Sequence, residues 1–159
     1  MNAKNKSYVQ LILAIVSLVL IGSLLGFLTK GSVDTWYATL HRSPLSPPNY
    51  VFGIAWSILY AMIATSGWFI WRSTPFAGLS SIKKLFIAQL MLNWCWTPLF
   101  FTYHASGLAL ACLIAIVILV ALIIIKSYKK IPMAALLLVP YFLWLLLATH
   151  LNFYIWQYN

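Results

Sequence analysis

Five long apolar stretches, joined by short polar connections, constrain this chain more than any other feature of its sequence. A helix of about 20 mostly apolar residues is long enough to cross the hydrocarbon core of a bilayer. Only 7% of the residues are charged, against roughly 25% in a typical soluble domain. Because backbone polar groups inside a membrane must be satisfied within each helix, the sequence predicts an all-α integral membrane protein. We expect one domain over residues 1–159, a five-transmembrane-helix bundle with helices at about 8–28, 50–71, 85–103, 108–125 and 133–156.

The first apolar stretch shares a basic head with secretory signal peptides. Its apolar run is too long for a signal peptide, however, and no small-residue cleavage site of the A-x-A kind follows it. We therefore predict a retained first helix. Gly22 and Gly26 within it form a G-x-x-x-G pattern, which would let another helix approach closely.

Basic residues are scattered over the ends of the predicted helices, although the net charge is +9. Lys30 and Arg42 lie in the first loop, predicted at 29–48, and the other basic residues fall on the opposite side of the bundle. By the positive-inside rule, the N-terminus is cytoplasmic, and the first loop and the C-terminus are external. This scatter favours a bilayer over a nucleic acid as the partner. The N-terminus lacks an Arg- and Ser-rich presequence, which favours the plasma membrane.

Acidic side chains are almost absent, since Asp34 in the first loop is the only one. This composition excludes paired carboxylates for hydrolysis, an acidic metal cage and a carboxylate proton relay inside the membrane. Cys95 and Cys112 form no C-x-x-C motif and are expected to be small buried apolar side chains. The three histidines fall in separate segments. We therefore predict no metal site and no intrinsic cofactor.

Aromatic and amide side chains recur at helical spacing on three of the predicted helices. Residues at i, i+4 and i+7 lie on one face of a helix. An amide in hydrocarbon needs a hydrogen-bond partner, so the stripe on the third helix should face inward. The stripes are Phe52, Trp56, Tyr60, Ile63 and Gly67 on the second helix, Gln89, Asn93, Trp96 and Phe100 on the third, and Pro140, Trp144, Ala148 and Leu151 on the fifth, with Asn152 beside the last of them.

These stripes allow two interpretations. They could pack the bundle, which is the usual role of aromatic stripes on helix faces. They could instead enclose a flat apolar ligand between indole rings, with amide and phenol groups orienting its polar edge. The first loop leaves a similar choice, because Trp36 and Tyr37 could form a lid over the mouth of the bundle or rest at the headgroup level.

Three segments of the chain resemble the translocator protein family, also called tryptophan-rich sensory proteins or peripheral-type benzodiazepine receptors (TspO/MBR), in particular its bacterial members. In order, they are PPNYVFGIAWSILY, AQLMLNWCWTPLFF and PYFLWLLLATHLNFYIW. The resemblance implies a five-helix bundle that commonly forms homodimers and binds porphyrins such as protoporphyrin IX. It also implies binding of isoquinoline or benzodiazepine-type drugs and, in bacterial members, light-dependent breakdown of protoporphyrin.

Carried onto this chain, the resemblance places the family's pocket residues at Trp56, Asn93, Trp96, Trp144 and Ala148. These positions fall on the three stripes, so the resemblance favours the ligand site over simple packing. Trp56 and Trp144 are the candidate photochemical residues, and Trp36 and Tyr37 are the candidate lid. The predicted ligand-binding residues are Trp56, Tyr60, Asn93, Trp96, Phe100, Trp144, Ala148 and Leu151.

The leading hypothesis is a plasma-membrane protein that admits protoporphyrin IX from the outer side, beneath the first loop, into a cleft among helices 1, 2, 3 and 5. The light-excited pigment would react with oxygen beside the two indoles, so the pigment carries the chemistry and the protein positions it. One alternative is a transmembrane transporter of tetrapyrroles or similar amphiphiles, although five helices cannot divide into two equal inverted repeats. Another is a structural or signalling membrane subunit. Sterol binding is not predicted, because Gln157 stands where the sterol-recognition pattern needs a basic residue.

Overall fold

Five α-helices and one π-helical turn make up the computed structural model, which describes residues 3–159. Pro132 stands at the first position of the last helix, where its missing N–H leaves no helical hydrogen bond unmade. The elements are α1 (Ala3–Ser32), the π-helical turn (Val33–Tyr37), α2 (Asn49–Arg72), α3 (Leu79–Phe101), α4 (Ser106–Ser127) and α5 (Pro132–Tyr158).

The predicted loop over residues 29–48 is wrong in its first part. The chain remains α-helical to Ser32 and continues as the π-helical turn to Tyr37. The polar residues of this stretch suggested a loop, but the ring of Tyr37 is buried against Phe100 and Phe101, and this contact favours a continued helix. π-helical turns are uncommon and are often found at functional sites.

The third helix begins earlier and ends earlier than its predicted bounds of 85–103. It begins at Leu79, directly after Gly78, whose positive φ of 96° breaks the chain direction. It ends at Phe101, because the carbonyl of Pro98 accepts the N–H groups of Thr102 and Tyr103 at 2.9 and 3.0 Å. The prediction began the helix too late because Lys83 and Lys84 were assigned to a polar connection.

Within residues 3–159, four helical stretches are long and apolar enough to cross a membrane. α3 has 23 residues but a more polar sequence. Its two amides, on Gln89 and Asn93, are buried inside the bundle. The two amide side chains of α3 are therefore directed at neighbouring helices. The four stretches are Asn5–Tyr37, Asn49–Arg72, Ser106–Ser127 and Pro132–Tyr158.

α4 closes one side of the bundle against α3 and α5. Its inner face is a stripe of fully buried aliphatic side chains that includes Ile116, Val120 and Ile123. These side chains pack with Leu138 and Leu145 of α5 in one continuous core. Since lipid is as apolar as leucine, such close van der Waals packing is what holds helices together in a bilayer. This core does not fill the space next to α1 and α2 on the opposite side of the bundle, where a cavity lies.

Replacing Gly22 by alanine should destabilise the protein, because a Cβ at this position would overlap the ring of Tyr60. We expect a loss of about 1–3 kcal/mol, the usual cost of overpacking. The control is Gly26→Ala in the same helix, where a Cβ would meet no other described atom within 4 Å. Thermal unfolding of both variants in detergent measures the difference, and equal stability would contradict a close α1–α2 contact at Gly22.

Candidate ligand-binding site

A cavity of about 430 Å³ lies among α1, α2, α3 and α5. This volume falls in the range of small-molecule sites, about 300–1,000 Å³. Part of each predicted stripe lies on this cavity, and all of the predicted ligand-binding residues line it. They are Trp56 and Tyr60 of α2, Asn93, Trp96 and Phe100 of α3, and Trp144, Ala148 and Leu151 of α5. The stripe residues Ile63, Gly67, Gln89 and Pro140 lie outside the cavity lining.

Eight aromatic side chains line the cavity. The ring of Trp56 lies 5.3 Å from that of Tyr60, centroid to centroid, at a tilt of 33°. Trp144 meets Phe52 edge to face, with centroids 5.8 Å apart. Trp96 stacks on Phe100 at 5.3 Å. Since such contacts favour defined ring orientations, the indoles are held in place before any ligand arrives.

A buried chain of hydrogen bonds forms the base of the cavity. The hydroxyl of Tyr60 donates to the Asn93 side-chain oxygen at 2.8 Å, and the Asn93 side-chain nitrogen donates to the hydroxyl of Tyr141 at 2.9 Å. Tyr141 in turn donates to the side-chain oxygen of Gln89 at 3.1 Å. This chain gives each of the two predicted inward-facing amides at least one hydrogen-bond partner and links α2, α3 and α5. The remaining donor, Nε2 of Gln89, has no hydrogen-bond partner among the described residues.

A second buried amide orients Trp96. The indole N–H of Trp96 donates to the Asn152 side-chain oxygen at 3.1 Å, and the Asn152 side-chain nitrogen donates to the carbonyl of Ser106 at 2.8 Å. Asn152 also lines the cavity. In the sequence analysis, Asn152 has no role beyond its position beside the stripe on the fifth helix. An amide in an otherwise apolar helix was the signal that could have assigned it.

Tyr37 closes the cavity at the end where the first loop lies. Its ring is buried and lines the cavity, and the guanidinium of Arg42 lies 5.4 Å from the centre of that ring. Trp36, the other predicted lid residue, lies outside the cavity lining. It stacks on the imidazole of His104 at 4.0 Å and meets Phe100 edge to face. Only Tyr37 of the predicted lid pair therefore reaches the site.

Hydrogen bonds fasten the first loop to α5. Oγ of Ser43 lies 3.1 Å from Nε2 of His150. The backbone N–H of His41 donates to the Asn159 side-chain oxygen at 2.8 Å, and the Asn159 side chain donates back to the carbonyl of His41 at 3.2 Å. His150 takes part in this attachment through its imidazole, and His41 takes part only through its backbone. Across the part of the chain that the structure describes, no group of three His, Cys, Asp or Glu side chains could hold a metal ion.

α1 forms one wall of the cavity, which agrees with the expected cleft among helices 1, 2, 3 and 5, but none of its residues was predicted to bind the ligand. Gly22, Ser23, Gly26, Thr29 and Lys30 all line the cavity. They escaped prediction because α1 is apolar around most of its circumference, so no stripe marks its inner face. The G-x-x-x-G spacing was the available signal, and Gly22 does make the close approach to α2 that this spacing allows.

Comparison with known proteins agrees with this architecture. A sequence model of the TspO/MBR family matches residues 13–157. Tryptophan-rich protein TspO of Archaeoglobus fulgidus is 38% identical over 150 residues, which cover 94% of this chain and 97% of that protein. Translocator protein of Bos taurus is 35% identical over 150 residues, or 91% of this chain and 89% of that protein. Tryptophan-rich sensory protein of Cereibacter sphaeroides is 32% identical over 120 residues, with 76% and 74% covered. The resemblance seen in the three sequence segments is thereby confirmed, and the chain belongs to the TspO/MBR family.

Proposed function

We propose that this protein binds a tetrapyrrole, protoporphyrin IX or a close relative, in the cavity among α1, α2, α3 and α5. The observation that carries the proposal is the convergence of the aromatic and amide stripes on one cavity. Indole faces suit a flat apolar ring, and the amide and phenol chain at the base offers polar contacts. Lys30 on the cavity wall supplies a cation for the acidic substituents of such a ring.

Filling the cavity should abolish this binding. We expect Ala148→Phe, which places a ring in the cavity, to weaken protoporphyrin IX binding by tenfold or more, about 1.4 kcal/mol. The control is Ala88→Phe, because Ala88 is exposed on the outer face of α3. A titration in the dark, followed by pigment absorbance and fluorescence with purified protein, measures both affinities. Equal binding by the two variants, or no saturable binding by the unaltered protein, would contradict the proposal.

We further propose that bound porphyrin is degraded in light. Molecular oxygen is the oxidant and accepts the electrons that the pigment loses. The indoles of Trp56 and Trp144 supply or relay an electron during this transfer and regain it from the pigment, so they are not consumed. The pigment brings the chemistry, and the protein contributes orientation and exclusion of water. This part of the proposal is supported by the fixed positions of both indoles on the cavity wall.

We also propose that all five helices cross a plasma membrane and that the protein forms a homodimer. Support for the fifth crossing comes from α3, whose amides are buried while its outer face exposes Ile87 and Met91. The charge distribution of the sequence supports a cytoplasmic N-terminus, with the first loop and the C-terminus external. Isoquinoline and benzodiazepine-type drugs are further candidate ligands of the same cavity, since they are flat and apolar.

Transport of tetrapyrroles or related amphiphiles is the alternative function. Counterflow of protoporphyrin IX across sealed vesicles separates it from binding alone. Flux that depends on the protein and disappears in Ala148→Phe would support transport, whereas saturable binding without flux would support a receptor or a degrading protein.

A further inference from the structure

The cavity reaches the surface of the bundle between α1 and α2. Ser23 and Gly26 of α1, and Gly53 and Ser57 of α2, line the cavity and are exposed on the outside. We call these residues the α1–α2 window. Because none of them has a side chain larger than that of serine, little more than backbone separates the cavity from the surroundings here.

The window contains unfilled space. At Gly26 and at Gly53, an added Cβ would meet no other atom of the described residues within 4 Å. One turn earlier in α1, a Cβ at Gly22 would overlap the ring of Tyr60. α1 and α2 therefore touch closely at Gly22 and leave a gap at the window, between that contact and the first loop.

Large apolar side chains surround the window on the outer surface. Leu24 and Phe27 of α1 are 57% and 75% exposed, and Ile54 and Ile58 of α2 are 58% and 56% exposed. All of them belong to helical stretches that are long and apolar enough to span a bilayer. Side chains of this kind face hydrocarbon in a membrane protein, so the window opens onto lipid rather than onto water.

The first-loop end of the cavity is partly covered. Tyr37 covers the cavity at the first-loop end and is only 7% exposed, with Arg42 over its ring. The loop beyond it is fastened to α5 by the hydrogen bonds of Ser43 and His41. Access beneath this loop would require these contacts to break, whereas the window requires no such step.

From this contrast, we infer that the ligand reaches the cavity from the bilayer, sideways through the α1–α2 window. The inference rests on the proposed function. It specifies the ligand class further, as an apolar or amphiphilic molecule that first dissolves in lipid. Lys30 lies one turn beyond Gly26 on the cavity wall, so an acidic group at the polar end of the amphiphile would meet this ammonium as the apolar body enters.

The test compares binding rates in lipid nanodiscs, with protoporphyrin IX as the probe and quenching of tryptophan fluorescence as the signal. The window is narrowed by Gly26→Leu combined with Gly53→Leu. The matched control is Gly31→Leu, because Gly31 also has free space around it but lies outside the cavity lining. A second variant, Ser43→Ala with Asn159→Ala, loosens the first loop without touching the window.

We expect the narrowed window to slow association and dissociation together, each by about tenfold, since a narrower passage adds a barrier in both directions. The Gly31 control and the loosened loop should keep the rates of the unaltered protein. Unchanged rates in the narrowed window, or faster association in the loosened loop, would overturn the inference. Faster dissociation with unchanged association in the narrowed window would also overturn it, because the leucines would then be obstructing the site and not the path. Absence of binding by the unaltered protein would instead contradict the proposed function itself.

Discussion

Replacing both Trp56 and Trp144 by phenylalanine should leave protoporphyrin IX bound in the dark but slow its loss under illumination by at least about tenfold, equivalent to 1.4 kcal/mol in the barrier. Phenylalanine retains an apolar ring against the pigment, yet it gives up an electron far less readily than indole does. Trp56 and Trp144 both line the cavity and are fixed by neighbouring rings. They are therefore the indoles placed to react with the excited pigment or to return an electron to it.

The measurement is the decay of porphyrin absorbance in light, with and without oxygen, at saturating protein. The control is Trp71→Phe combined with Trp156→Phe, which removes the same number of indoles from exposed positions outside the cavity lining. Should the two double variants lose pigment at the same rate, the proposed photochemical role of the cavity tryptophans would be wrong, although binding could still hold.

Asn93→Ala should be the most destabilising single change in the site. The amide of Asn93 accepts from Tyr60 and donates to Tyr141, so its removal leaves two phenol hydroxyls short of a partner in the bundle interior. With individual membrane hydrogen bonds worth about 0.6–1.7 kcal/mol and a further cost for the unpaired groups, we expect a total loss of about 2–3 kcal/mol.

Reversible unfolding by denaturing detergent in mixed micelles measures this loss. Gln157→Ala is the control, since it removes an exposed amide near the end of α5. If Asn93→Ala were as stable as the control, the hydrogen-bond chain would contribute little to stability. If Asn93→Ala loses this much stability, its affinity for the ligand should also fall, because the hydrogen-bond chain holds the ring of Tyr60 beside that of Trp56.

The lining of the cavity was largely predictable on the three helices that carry bulky or polar side chains. Trp56 and Tyr60 are four residues apart, as are Trp144 and Ala148, and this spacing alone places each pair on one face. Asn93 could be oriented inward from the cost of a lone amide in hydrocarbon. Size and polarity at helical spacing therefore supplied the signal.

The contribution of α1 could not be read in the same way. Several of its cavity residues are small, and a glycine such as Gly26 has no side chain whose size or polarity would identify an inward-facing position. Local sequence also could not show that the chain stays helical as far as Tyr37, because this depends on the burial of that ring against α3, far away in sequence. Local sequence likewise could not show that Trp36 stacks on His104, because these residues are far apart in sequence and meet only in the folded bundle.

The π-helical turn at Val33–Tyr37 determines how the closure of the cavity responds to deletions in the chain. A π turn completes one rotation with one residue more than an α turn, and each residue of an α-helix advances by about 100° around the axis. Deleting a single residue within the turn would leave an α turn that still completes one rotation, so the ring of Tyr37 should stay directed at Phe100. Deleting a residue from the regular part of α1 would instead rotate that ring by about 100° and remove the aromatic cap from the cavity.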